Sequence, residues 1–112
     1  MKNDQSFRDF VVDDLMASDQ GVTSKYMFGG WGIFKNGNMF GLIADGLLHL
    51  KVDEKNQADF EEIGSKPFMY VAKDKEMKMS YWSVPEDLLE DRGAFEKLMD
   101  GAVAVAKRAK KK

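Results

Sequence analysis

The sequence of 112 residues holds few side chains that could perform acid–base or nucleophilic chemistry. Its single histidine is His49 and it has no cysteine, so thiolate nucleophiles, disulfides and cysteine-based metal sites are excluded. Ser80, His49 and Asp45 could be drawn together as a triad, but no G-x-S-x-G pattern supports this. Adjacent carboxylates such as Glu61 and Glu62 diverge on a helix and are poorly placed to cooperate as acid and base. We therefore expect a protein that is not an enzyme and that has no cofactor or metal.

The stretch MFGGWGIFKNGNMFGLIADG at 27–46 places six glycines among large apolar residues. A phosphate-binding loop would need G-x-G-x-x-G between a strand and a helix, or a P-loop ending in GK[ST]. Neither pattern is present, and Gly29, Gly30 and Gly32 lead into a predicted strand rather than a helix. The glycines are therefore interpreted as turn, bulge and close-packing positions of a sheet.

Charge is distributed unevenly along the chain. The segment 107–112 carries five of the 17 basic residues, which leaves residues 1–106 with 12 basic and 19 acidic residues, a net charge of −7. A duplex-binding domain is expected to present a basic face, so direct binding of DNA or RNA by the folded part is not expected. We predict a single domain over 1–106 and a disordered basic tail over 107–112.

Neither a secretory signal nor a membrane-spanning segment is predicted. The first ten residues, MKNDQSFRDF, include acidic and aromatic residues. A secretory signal would instead have a basic segment followed by an uninterrupted apolar segment. No apolar run approaches the roughly 20 residues that a spanning helix needs. A cytoplasmic protein is the expectation.

Periodicity predicts the order of helices and strands. Apolar residues at three- and four-residue steps indicate an opening helix that ends before Gly21, and a final helix on one stripe after Gly93. The turn pairs Asn36-Gly37 and Asp45-Gly46 separate short β-rich segments. Predicted strands lie at 26–28, 31–35, 39–44, 47–52, 67–72 and 76–82, with a short helix between the fourth and fifth. The prediction is an α+β fold with a central antiparallel sheet, formed by a meander plus a hairpin, and flanking helices at the N-terminus, middle and C-terminus.

Side-chain alternation predicts which faces of these strands are exposed to solvent. In 47–52 it places His49 and Lys51 opposite the apolar residues, and in 76–82 it places Lys78 and Trp82 on the polar side. Trp31 and Trp82 are the candidate anchors of a protein contact, because a partly exposed tryptophan is a typical anchor. The alternative for each is a tryptophan that closes the rim of the core. The predicted interaction surface consists of Trp31, Trp82, His49, Lys51 and Lys78.

The segment 39–44 is apolar on both faces of its strand. Such a strand needs cover on each face, either from helices of this chain or from a second subunit. A homodimer is therefore one expectation.

Five ordered motifs together resemble the TfoX N-terminal domain family. They cover nearly the whole chain and read YMFGGWG (26–32), MFGLIADG (39–46), LHLK (48–51), GSKPF (64–68) and MSYWSVPE (79–86). The chain departs from the family pattern at Gly41, where an Ala-like residue is common, and at His49, where Tyr is usual. The resemblance implies an α+β domain with a central antiparallel sheet and supplies no catalytic residues.

The resemblance also implies a function class. Full-length members are bacterial regulators needed for expression of competence genes, and they carry a second, C-terminal helical domain. The chain resembles a stand-alone N-terminal domain, so we expect a regulatory module that acts through an unidentified protein partner. Two alternatives are a nucleic-acid accessory protein that uses the basic tail and a small-ligand domain with a pocket near His49 and Tyr81.

Overall fold

The computed structural model describes residues 4–15, 21–27, 30–44, 46–72 and 75–110. The helices are α1 (Asp4–Asp9), which continues into a π-helical turn (Phe10–Leu15), α2 (Gln57–Glu62), α3 (Glu86–Leu89) and α4 (Arg92–Lys110). The strands are β1 (Val22–Met27), β2 (Gly30–Lys35), β3 (Asn38–Ala44), β4 (Leu47–Lys51), β5 (Pro67–Ala72) and β6 (Lys75–Ser83).

Across the described residues, the six strands form one antiparallel sheet with the order β1-β2-β3-β4-β6-β5. The first four strands are a meander and the last two are a hairpin, which confirms the predicted α+β fold class. Asn36 and Gly37 connect β2 to β3 with φ angles of 52° and 87°. Two consecutive positive φ angles are typical of the type I′ turn that suits a two-residue hairpin, as the Asn-Gly pair predicts.

The main core lies between one face of the sheet and the helices. Ile33, Ile43, Leu48 and Leu50 project from the central strands and are fully buried. Val11, Phe60, Leu89, Phe95, Leu98, Met99, Ala102 and Ala106 cover them from the helical elements. Burial of this apolar surface, at about 25 cal/mol per Å², is the main contribution to the stability of the fold.

A β-bulge in β3 turns the side chain of Phe40 toward the main core. Ile33 pairs with Gly41 and Phe34 with Met39, so Phe40 is an extra residue on β3. Phe40 is fully buried in the main core. Simple alternation would have placed it on the opposite face together with Leu42.

The opposite face of β3 is covered by the chain itself. Leu42, Ala44 and Tyr81 are buried there in a second cluster, with Met39 and Phe68 packed against it. Both faces of β3 are therefore covered, as its apolar sequence predicts. A second subunit is not required for that burial.

His49 lies on this second face and is buried, with only 4% of its surface exposed, so its predicted position on a wet face is wrong. β4 is an interior strand, and His49 stands between Leu42 of β3 and Ser83 of β6. Its Nδ1 lies 3.2 Å from the Leu42 carbonyl oxygen. The Phe68 ring packs edge-on against the imidazole with 5.0 Å between ring centroids. Polarity at position 49 therefore does not indicate exposure.

Trp82 is also buried, at 8% exposed, and belongs to the main core rather than to the polar side of β6. It pairs with the fully buried Leu50 of β4. The prediction of an exposed Trp82 anchor is wrong, because β6 is an interior strand and the Trp82 ring packs into the main core.

α4 continues to Lys110, so Lys107 and Arg108 are helical rather than part of the disordered tail that the sequence predicted. Residues 111–112 lie outside the described residues. The helical stretches that the structure does describe include none that is both long enough and apolar enough to cross a membrane.

Candidate interaction surface

A groove between the N-terminal helical segment and α3 exposes aromatic surface. Phe7 and Phe10 are three residues apart, so they lie on one face of the segment, and their rings stack with 6.3 Å between centroids. Phe10 is 40% exposed. Together with Leu89 the two rings form the apolar part of a groove of about 510 Å³.

Three carboxylates form the other wall of this groove. Glu86, Asp87 and Glu90 line it, and all three are exposed. Within the part of the chain that the structure describes, none of them forms an ion pair. The groove therefore combines an apolar floor with a locally uncompensated negative charge.

The carboxylates are positioned by the way α3 is attached to the sheet. The Val84 amide donates to the Leu48 carbonyl oxygen at 2.8 Å, which fixes the chain directly after β6. Leu89, which is 6% exposed, anchors the short helix in the main core. Glu86 and Glu90 are four residues apart and so share one face of this turn. Burial of the leucine thus directs the acids outward along the groove.

Arg8 connects the N-terminal segment to the edge of the sheet. Its Nε donates to Ser24 Oγ of β1 at 2.9 Å, and its guanidinium carbon lies 5.4 Å from the centroid of the Trp31 ring. Tyr26, which is 64% exposed, contacts the same ring edge-on at 5.4 Å between centroids. Cation–π contacts of this kind contribute about 0.5–1 kcal/mol at exposed sites. Arg8 and Trp31 thereby hold the segment that presents Phe7 and Phe10.

The structure does not bring the five predicted surface residues together. Trp31 is half-buried beside Arg8, as expected for a tryptophan at the rim of the core, whereas Trp82 and His49 are buried on opposite faces of the sheet. The Lys51 ammonium lies 4.8 Å from the centroid of the Tyr81 ring. Lys78 pairs with Met69 in the β5–β6 hairpin, and its side chain lies outside the described residues.

Sequence reasoning missed the groove itself. The helical spacing of Phe7 and Phe10 places both on the apolar stripe of the first helix, and the pattern S-x-x-E at 83–86 assigns Glu86 to a capping box at the start of a helix. A signal was nevertheless present in EDLLED at 86–91, where two leucines are enclosed by four acids. Such a segment can bury its leucines and still present a continuous acidic rim.

The groove contains carboxylates but no arrangement suited to a metal ion. Among the residues that the structure describes, no group of three or more His, Cys, Asp or Glu side chains is placed to hold one.

An antiparallel sheet with helices on one face and a meander-plus-hairpin order defines a small α+β domain. Residues 14–106 match the model of the TfoX N-terminal domain family, and the chain belongs to that family. It is similar to the DNA transformation protein TfoX1 of Aliivibrio fischeri, with 38% identity over 60 residues. The match covers 54% of this chain and 29% of that relative, so the chain spans less than a third of the relative's length in this comparison.

Proposed function

We propose that the chain is a bacterial regulatory module linked to DNA transformation, and that it acts by binding a protein partner rather than by catalysis. Membership of the TfoX N-terminal domain family supports the regulatory role. Similarity to the DNA transformation protein TfoX1 of A. fischeri supports the link to transformation. A cytoplasmic location is part of this proposal.

The groove between Phe10 and α3 is the proposed binding surface. The observation that carries it is an aromatic ring, 40% exposed, beside three carboxylates that have no ion pair among the described residues. Exposed apolar surface rimmed by polar groups is typical of protein-binding sites. An aromatic anchor with charged residues at its rim also matches the usual anatomy of interfaces.

The charge of the groove selects the partner's chemistry. Glu86, Asp87 and Glu90 disfavour an acidic partner and attract one that carries Lys or Arg next to apolar residues. A short amphipathic helix with basic flanks satisfies both requirements, because its apolar positions can cover Phe7 and Phe10.

Transformation frequency in the bacterium that encodes the chain tests this function. Deletion of the gene is expected to lower the frequency, and the wild-type chain is expected to restore it. Phe10→Ser removes the exposed ring and should fail to restore it. Leu47→Ser is the matched control, because Leu47 is also 40% exposed but lies in β4, outside the groove.

The outcomes separate the two parts of the proposal. No change on deletion would contradict the role in transformation. Full restoration by Phe10→Ser would retain that role and contradict the groove as the binding surface.

A further inference from the structure

A second cleft lies between the end of β4 and the C-terminal part of α4, and its lining differs from that of the groove. It has a volume of about 510 Å³ and is bordered by Lys51, Ser80, Lys55 and Arg108, with Val105 among its apolar residues. The cations therefore come from three separate parts of the chain: β4, the loop that follows it, and α4. Asp53 and Glu54 also border the cleft.

The Lys51 ammonium is the best-defined donor in the cleft. It is half-buried, lies over the Tyr81 ring and donates to Ser80 Oγ at 3.4 Å. It forms no ion pair with any carboxylate of the described residues. Burial lowers the pKa of Lys51, and the charge of nearby Asp53 opposes that shift. Asp53 compensates the charge of this partly desolvated cation only in part, so an anion that reaches Lys51 would stabilise it further.

Arg108 is fixed at the cleft by Asp53. Its Nε and Nη2 donate to Asp53 Oδ2 at 3.3 Å and 3.0 Å, while Asp53 Oδ1 accepts from the Lys55 amide at 2.8 Å. Both oxygens of the carboxylate are thus already engaged. Arg108 keeps Nη1 for another acceptor, since a guanidinium carries five N–H donors.

We propose that this cleft binds the phosphate group of a small molecule, with Lys51, Ser80 and Arg108 as its donors. An ammonium, a hydroxyl and a guanidinium that approach from β4, β6 and α4 suit the several oxygens of a tetrahedral anion. A carboxylate presents its acceptor sites in one plane, so donors that come from three elements fit it less well than they fit a tetrahedral anion. This site is independent of the proposed groove and of its protein partner.

Titration of the purified chain with inorganic phosphate tests the proposal by amide chemical shifts in ¹⁵N-resolved NMR spectra. Ionic strength is held constant with sodium chloride, and acetate is titrated in parallel as the carboxylate arm. Phosphate should produce saturable shifts at residues 51–55, 80–81 and 105–109. Acetate should bind these residues more weakly.

Lys51→Met keeps the apolar stem over Tyr81 and removes the charge, so it should weaken phosphate binding about tenfold or more. Ser80→Ala, at an exposed position, is a second variant with little effect on folding and should also weaken it. Lys97→Met removes an exposed charge from α4 outside the cleft and should bind as the wild type does. Shifts that do not saturate, or equal binding by wild type and Lys51→Met, would overturn the proposal.

Discussion

At the scale of single residues, the two tryptophans differ in what covers them. Trp82 lies in the main core against Leu50, whereas Trp31 is half-buried at the edge of the sheet beside Arg8 and Tyr26. Both positions looked equivalent in the sequence. Only the contacts made by the rest of the chain separate an anchor of the core from a residue at its rim.

This difference predicts the fluorescence of single-tryptophan variants. Trp31→Phe leaves Trp82, whose emission should be at shorter wavelength and poorly quenched by acrylamide, because its ring is shielded from water. Trp82→Phe leaves Trp31, which should emit at longer wavelength and be quenched more strongly. Equal quenching of the two variants would contradict the burial that the structure assigns to them.

Tyr81 predicts a dependence of stability on alkaline pH. Burial raises the pKa of Tyr81 from 10.0 to about 12. Below pH 10 the phenol is protonated in both the folded and the unfolded chain, so its contribution to the stability of the fold is fully present there. Between pH 10 and about 12 the unfolded chain ionises first, so the free energy of unfolding should fall as the pH rises, by roughly 2 kcal/mol at most because solvent screens part of the effect.

Tyr81→Phe isolates this contribution, since among the described residues the hydroxyl has a single, long hydrogen bond, 3.5 Å to the Met39 carbonyl oxygen. Urea unfolding should give a constant difference between wild type and variant up to pH 10. Above pH 10 the free energy of unfolding should fall more in the wild type than in the variant. A difference in unfolding free energy that stays constant to pH 12 would contradict the raised pKa of Tyr81.

At the scale of elements, the close approach of β2 and β3 depends on Gly30. A Cβ atom at this position would lie 1.8 Å from the Ile43 carbonyl oxygen, so the backbone would have to move. Gly30→Ala should therefore lower the free energy of unfolding by roughly 3 kcal/mol or more. The measurement is urea unfolding of the purified variant.

Gly93→Ala is the matched control for this substitution. Gly93 is exposed in the first turn of α4, and the nearest atom to an added Cβ would be 3.9 Å away. The substitution should be neutral or raise the free energy of unfolding by up to about 1 kcal/mol, because alanine favours a helix more than glycine does. Similar losses of unfolding free energy in the two variants would show that the close approach of β2 and β3 is not the reason why position 30 requires glycine.

The strands and turns were predictable because their signals are local. Asn36-Gly37 marks the hairpin by its preference for positive φ, and alternation marks β4 as a half-apolar strand. The bulge at Phe40 was not predictable, because strict alternation of side chains does not allow for an extra residue in a strand. The burial of His49 was also missed, since it depends on Phe68 from a strand that follows 16 residues later in the chain.

At the scale of the whole molecule, the candidate site needed the tertiary fold. Phe7 and Phe10 repeat at helical spacing, which indicates a stripe but not how much of that stripe the sheet covers. The fold leaves Phe10 40% exposed and sets it beside the acids of α3, nearly 80 residues away in the sequence. Lys51 was predicted as a candidate, but its role in a cleft with Arg108 follows only from the packing of α4.

The charge of residues 1–106 agrees with a partner that is basic at the contact. Residues 1–106 carry a net charge of −7, and Arg108 at the basic end of α4 is engaged by Asp53. Long-range attraction therefore favours a partner with Lys or Arg near its apolar contact residues, and that attraction weakens with added salt.

Photo-crosslinking in the living cell shows whether a protein occupies the groove beside Phe10. A benzophenone-bearing phenylalanine analogue at position 10 should give a discrete protein adduct, and the same analogue at position 47 should not. Glu86→Lys combined with Glu90→Lys should abolish the adduct by reversing the charge of the rim, while Glu62→Lys, exposed on α2, should retain it. The absence of an adduct at position 10, or an equal adduct at positions 10 and 47, would contradict the account.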